Sequence, residues 1–142
     1  MNSKPSVRWV GMPHTRYHAL WRLMTWQPHG ILDDALLDEM ADFTETQELI
    51  TELPFNRFVD LSQLTQIRLQ IGHIFTYAHR RREVHAGLVP VKTAIFCDKV
   101  VGFGIARMYE TLMEGSSIHV CAFRERAAAA LWLGVPVEVL GQ

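Results

Sequence analysis

Short apolar runs rich in β-branched and aromatic residues alternate with helix-period segments along almost the whole chain. No other feature restricts the fold as much. Strands separated by helices of this length must pair in parallel through crossover connections, which selects a layered α/β architecture. A length of 142 residues suits one domain and allows about 68–70% of the unfolded surface to be buried. Hydrophobic residues make up 49% and charged residues 20%, a balance that excludes a disordered chain.

Residues 7–11 and 17–26 read as two antiparallel strands joined by a turn containing Pro13, so that residues 1–16 supply an edge strand and its turn. Gly30 ends this hairpin. Asp33 or Asp34 can cap a helix whose apolar face is Leu36, Leu37, Met40 and Phe43. Pro54 disfavours helix at the residue before it, and residues 58–61 read as a short buried strand. Ile71, Ile74, Phe75 and Ala78 define a second helix, stopped by Gly87 and Pro90. Just ahead of it, Ile67 and Leu69 alternate as a strand would. Residues 91–97 form the next strand, and Ile105, Met108, Tyr109 and Leu112 mark a third helix. After the Gly115-Ser116-Ser117 break comes a strand at residues 118–123. A fourth helix at 124–133 ends at Gly134 with Pro136 just beyond. The order β-β-α-β-α-β-α-β-α predicts a single domain over residues 1–142, a small mixed sheet of about five strands with four helices. The hairpin supplies its antiparallel edge. The tail, residues 135–142, is apolar at Val135, Val137 and Val139. It is expected to dock on its own domain as an edge strand, the alternative being contact with a partner.

Lys and Arg number 14 and Asp and Glu 15, a formal charge of −1. Nothing in that balance attracts nucleic acid or an anionic membrane surface. There is no signal-like start, and the longest apolar stretch, residues 127–137, is interrupted by Gly134 and Pro136 and too short to span a bilayer. A cytoplasmic protein without stable membrane insertion is expected. Cys97 and Cys121 lack a CxxC partner and read as reduced core thiols. His73, His79 and His85, spaced six apart, point to different helix faces, so neither a metal nor another cofactor is expected. Arg80-Arg81-Arg82 reads as a solvated helix face, offset by Glu83 and by the acidic first helix.

In an open α/β sheet, ligands bind outside the carboxyl ends of the strands. That rule singles out Asp60 and Ser62, then Asp98 and Lys99, then Arg124, with Arg107 leaning toward the same edge. Together these groups could hold a phosphate or another small polar ligand. The structural alternative is that the acids cap helices and Arg124 pairs with one of them. Gly102-Phe103-Gly104-Ile105-Ala106-Arg107 departs from the dinucleotide fingerprint at its last position, where Arg107 replaces the third glycine. Its glycines fit close packing of a helix start against the sheet better than a Rossmann site. Ser62, Ser116 and Ser117 have no nucleophile elbow and no evident His and Asp partners. Catalysis is therefore not expected.

Several of these segments, taken together, resemble a known family. Arg57-Phe58-Val59-Asp60-Leu61-Ser62, the strand ending Ala94-Ile95-Phe96 and Phe103-Gly104-Ile105-Ala106-Arg107-Met108-Tyr109 carry the likeness. Val120-Cys121-Ala122-Phe123 and Ala130-Leu131-Trp132-Leu133-Gly134 complete it. Over about residues 17–134 the chain resembles the SpoIIAA-like, or STAS-like, family of small bacterial proteins. The resemblance implies a sheet with helices on one side, a fold shared with anti-sigma-factor antagonists and more distantly with lipid-binding Sec14-type domains. In the antagonists a phosphorylatable serine stands in an Asp-Ser-Ser-Gly turn at the helix after the Asp-Leu-Ser strand end. Here that stretch reads Arg68-Leu69-Gln70-Ile71, so the resemblance implies the fold without that switch. The expected function is a non-enzymatic regulatory or protein-interaction module, binding a protein partner or its own copy. The alternative is a small-molecule or lipid sensor using an apolar pocket or the polar strand-end edge.

Overall fold

The computed structural model describes residues 11–141, so the strand expected at residues 7–11 lies almost wholly outside it. The hairpin forms within the segment expected to be the second strand. β1 (Thr15–His18) runs antiparallel to β2 (Leu23–Trp26), joined by a single 3-10 turn, Ala19–Trp21. Arg22 takes the left-handed conformation at φ 46° to complete the reversal. The reason lies in burial: Leu20, mid-segment, is 84% exposed, whereas Leu23, Met24 and Trp26 are buried. Only the second half has a sheet face to cover.

A second departure follows at Gly30. It does not end a hairpin but opens β3 (Gly30–Asp33), which pairs in parallel with β5 (Leu64–Arg68) as a separate two-stranded ribbon. The Ile67 alternation ahead of the second helix belongs to this ribbon. Asp33 then caps α1 (Asp34–Ile50), its carboxylate accepting from the Leu36 N–H at 2.9 Å. β4 (Asn56–Asp60), α2 (Ile71–His85), β6 (Val91–Phe96), α3 (Val100–Leu112), β7 (Ile118–Phe123) and α4 (Arg126–Leu133) follow near their expected bounds. The main sheet has five strands in the order β1-β2-β4-β6-β7, parallel except for the β1 edge. The mixed α/β sheet with four helices and an antiparallel edge is as expected.

Strand alternation divides the core in two. Met24, Trp26 and Ile95 face α1 and α3, represented by Met40 and Ala106, while Val59 packs at the same cluster's margin. Leu23, Phe58, Ala94 and Phe96 face the other way, onto Ala129, Ala130 and Leu133 of α4. Helices therefore cover both faces, where the resemblance implied one. The short, alanine-rich α4 can lie close to the sheet because it brings little side-chain bulk. Gly134, left-handed at φ 76°, ends α4 as expected and Pro136 redirects the tail. The tail then docks on its own chain, though as a 3-10 turn (Val137–Leu140) rather than a strand. Leu140, 4% exposed, seats in the cluster with Leu23 and Phe58.

The outer edge of β7 is covered by side chains. Glu110 of α3 accepts from the Ala122 N–H at 2.9 Å, and the Ser116 hydroxyl accepts from the Ile118 N–H at 3.2 Å. An unpaired row of strand N–H groups is a template for pairing with another chain, and these contacts blunt it. Cys97 is buried beneath α3, whereas Cys121 is half-buried on the opposite face of the sheet. No described helix is long and apolar enough to cross a membrane.

Candidate functional site

The strand-end residues are drawn into internal contacts. Asp60, 1% exposed, ends β4 on the α4 face. It accepts from Gln27 Nε2 at 2.8 Å, the Ser62 N–H at 2.9 Å and Arg126 Nη2 at 2.5 Å. Burial alone would raise its pKa. Hydrogen bonds from Ser62, Arg126 and Gln27 outweigh that and hold it below the ordinary Asp value. Nearby, Lys99 Nζ donates to the Ser62 carbonyl at 3.0 Å and lies 3.5 Å from Asp98. Arg124 reaches the Asp98 carbonyl at 3.4 Å and stacks over Phe103. So Ser62, Asp98, Lys99 and Arg124 share one exposed rim, with Asp60 buried beneath it. Arg107 does not join them. It projects from the middle of α3, 3.8 Å from Glu110.

A more enclosed site lies on the other side of the sheet. A cavity of about 100 Å³ separates the strands from α1, α2 and α3. Apolar side chains, among them Trp26, Leu37, Ile74 and Ile95, make most of its wall, while Arg57, Arg81, Tyr77, Tyr109, Thr44 and Thr93 bring polar groups to it. Arg57 sits on β4 with its side chain 5% exposed. Its Nε donates to the Phe55 carbonyl at 2.9 Å and its Nη2 to Glu48 at 2.7 Å. Arg81 of α2 reaches the same Glu48 oxygen at 2.6 Å and also Glu45 at 3.1 Å. Arg80 extends the network outward to Glu45 and Asp42.

Burial shapes the charges of this network. It lowers the Arg57 pKa against the opposing pull of Glu48. It would raise that of Glu48, but the two guanidiniums more than offset it and leave Glu48 below the ordinary Glu value. Tyr77 and Tyr109, whose rings stand 5.5 Å apart, are pushed upward chiefly by burial and stay protonated donors. His85 is also buried, its Nδ1 2.6 Å from the Ser117 hydroxyl, and burial lowers its pKa.

The arginine run therefore corrects the sequence reading. Only part of it is solvated, because Arg81 is 2% exposed and Arg82 donates to the Leu112 and Glu114 carbonyls. A signal for this was present. Ile74, Ala78, Arg81 and His85 recur at helical spacing and form the buried face of α2. Arg57 likewise stands in phase with Val59, which packs at the margin of the same core cluster.

Among solved structures, the chain is similar to an uncharacterized protein of the DUF3478 family from Shewanella loihica PV-4, described as having a SpoIIAA-like fold. The match covers 78% of this chain and 83% of that one at 14% identity, with a TM-score of 0.52. The fold is SpoIIAA-like. No protein-family model matches the sequence, and no curated protein does. Within this SpoIIAA-like frame, the helix after β5 begins at Ile71, with Gln70 as its N-cap and no side-chain capping bond.

Proposed function

We propose that the chain is a non-enzymatic regulatory module that works by docking a protein, in the simplest case a second copy of itself. One observation carries this reading. Ile71 and Phe75, at the start of α2, are 61% and 50% exposed, and Val100 and Val101, at the start of α3, are 75% and 70% exposed. Both helices begin at the carboxyl end of the parallel strands that precede them, so the four side chains lie toward one end of the molecule. Large apolar side chains grouped on a surface are the usual mark of an interaction site. The chain's own tail does not cover them, since it packs on the opposite face of the sheet. Sedimentation velocity over a wide concentration range should reveal a dimer. Phe75→Ser combined with Val100→Ser should abolish it without changing the circular dichroism spectrum. A chain that stays monomeric throughout would overturn self-association as the form this docking takes.

A second reading, small-molecule binding, is favoured by the half-open, largely apolar cavity beneath α1–α3, with a buried guanidinium in its wall.

A further inference from the structure

We infer that this cavity is a binding site for a small carboxylate with a compact, one-ring or short-chain apolar body. The inference rests on the small-molecule reading above and goes further by fixing both size and charge. Size comes first. An engineered apolar cavity of about 150 Å³ holds benzene, and the space here is about 100 Å³. The cavity is open on one side, so a chain of a few carbons, or one ring seated partly in the opening, fills it, and a long acyl chain is not enclosed by it.

Charge follows from the donors left over. Of the three guanidinium nitrogens of Arg57, Nε is taken by the Phe55 carbonyl and Nη2 by Glu48. Nη1 has no hydrogen-bond partner among the described residues, although the side chain is 5% exposed. Thr93 is the register partner of Arg57 on β6, 8% exposed, and its hydroxyl also makes no hydrogen bond among the described residues. Neither atom is among the fully buried ones left without a hydrogen bond, so both donors reach open space and can meet an incoming acceptor. The local charge favours an anion. Arg57, Arg80 and Arg81 are matched in number by Glu48, Glu45 and Asp42, but Arg57 and Arg81 line the cavity and none of these three carboxylates does. A monoanion suits this better than a phosphate dianion, since Arg57 offers a single nitrogen without a partner among the described residues. A ligand cation would meet the guanidiniums head on.

Isothermal titration calorimetry and thermal shift on the full chain, with sodium benzoate as the probe, test the assignment. Benzoate should bind roughly ten- to a hundredfold tighter than the uncharged benzyl alcohol, the range expected for a charge-assisted hydrogen bond of about 1.5–3 kcal/mol. Thr93→Val should narrow that gap while leaving the fold intact. Ala106→Leu places three carbons into the cavity wall and should abolish binding of both compounds. Benzyl alcohol binding as tightly as benzoate would overturn the carboxylate assignment yet leave the cavity a small-molecule site. Palmitate binding more tightly than benzoate would overturn the size argument. If benzoate, benzyl alcohol and toluene all fail to bind, the small-molecule reading itself falls.

Discussion

Arg57 and Arg81, from β4 and α2, meet on a single oxygen of Glu48, at 2.7 and 2.6 Å. One buried carboxylate thus compensates two guanidiniums that would otherwise repel each other. Removing one partner of a buried ion pair commonly costs about 3–5 kcal/mol, because the charge left behind stays desolvated. Glu48→Gln should therefore lower the free energy of unfolding by about that amount in urea titrations. A loss under about 1 kcal/mol would show that the network behaves as an exposed one.

Acid should act through the same carboxylate and through Asp60. Both have folded-state pKa values depressed below their ordinary ones, after burial has been outweighed by hydrogen bonds and neighbouring cations. A depressed carboxylate contributes stability above its unfolded pKa and loses it as the pH falls through its folded one. The part of the stability owed to these two carboxylates should accordingly be level near neutrality and decline below about pH 4, where ordinary Asp and Glu begin to take up protons. In an Asp60→Asn, Glu48→Gln double variant, plotting the urea midpoint against pH should give a flatter acid limb.

Gly102 marks a close approach. A side chain there would begin where the Cys97 thiol already sits. Gly102→Ala should destabilise the protein by about 1–3 kcal/mol through overpacking, despite the better helix propensity of alanine. Adding Cys97→Ala should recover part of the loss. A double-mutant cycle with no coupling between the two positions would contradict the contact. Gly104 has open space around its Cα, and Gly104→Ala should be neutral or stabilising.

The tail can be weighed by one residue. Leu140→Ala should cost about 2–5 kcal/mol by emptying a site among Leu23, Phe58 and Leu133. Thermal unfolding monitored by circular dichroism would detect it. A shift no larger than that of an exposed leucine such as Leu131, at 84% exposure, would mean that the tail does not hold the sheet.

The six-residue strands β6 and β7 and the long helices were legible because their apolar periods persist over enough residues to stand out. β3 was not, because four residues including Gly30 and Asp33 carry too little pattern, and 30 residues lie between it and its partner β5, too many for a local signal of pairing. Asp60 could be picked out as a strand-end acid. Its partner Arg126 lies 66 positions further on and no local rule links them. Arg81 was readable in principle, since it falls in phase with Ile74 and Ala78, yet the run of three arginines suggested solvent. The cavity had no sequence signature at all. It is a gap between strands and helices that meet only in the fold.

The hydrogen bond from Ala122 to Glu110 makes the insulation of β7 conditional. The Glu110 part of its cover is not in the sheet but hangs from α3, so α3 works as a chaperone that the chain carries with it. A species that keeps its sheet while α3 lifts away would expose a ready-made template to its neighbours. During refolding or storage, that half-dressed intermediate, more than the fully unfolded chain, is the seed from which aggregates of this protein would grow.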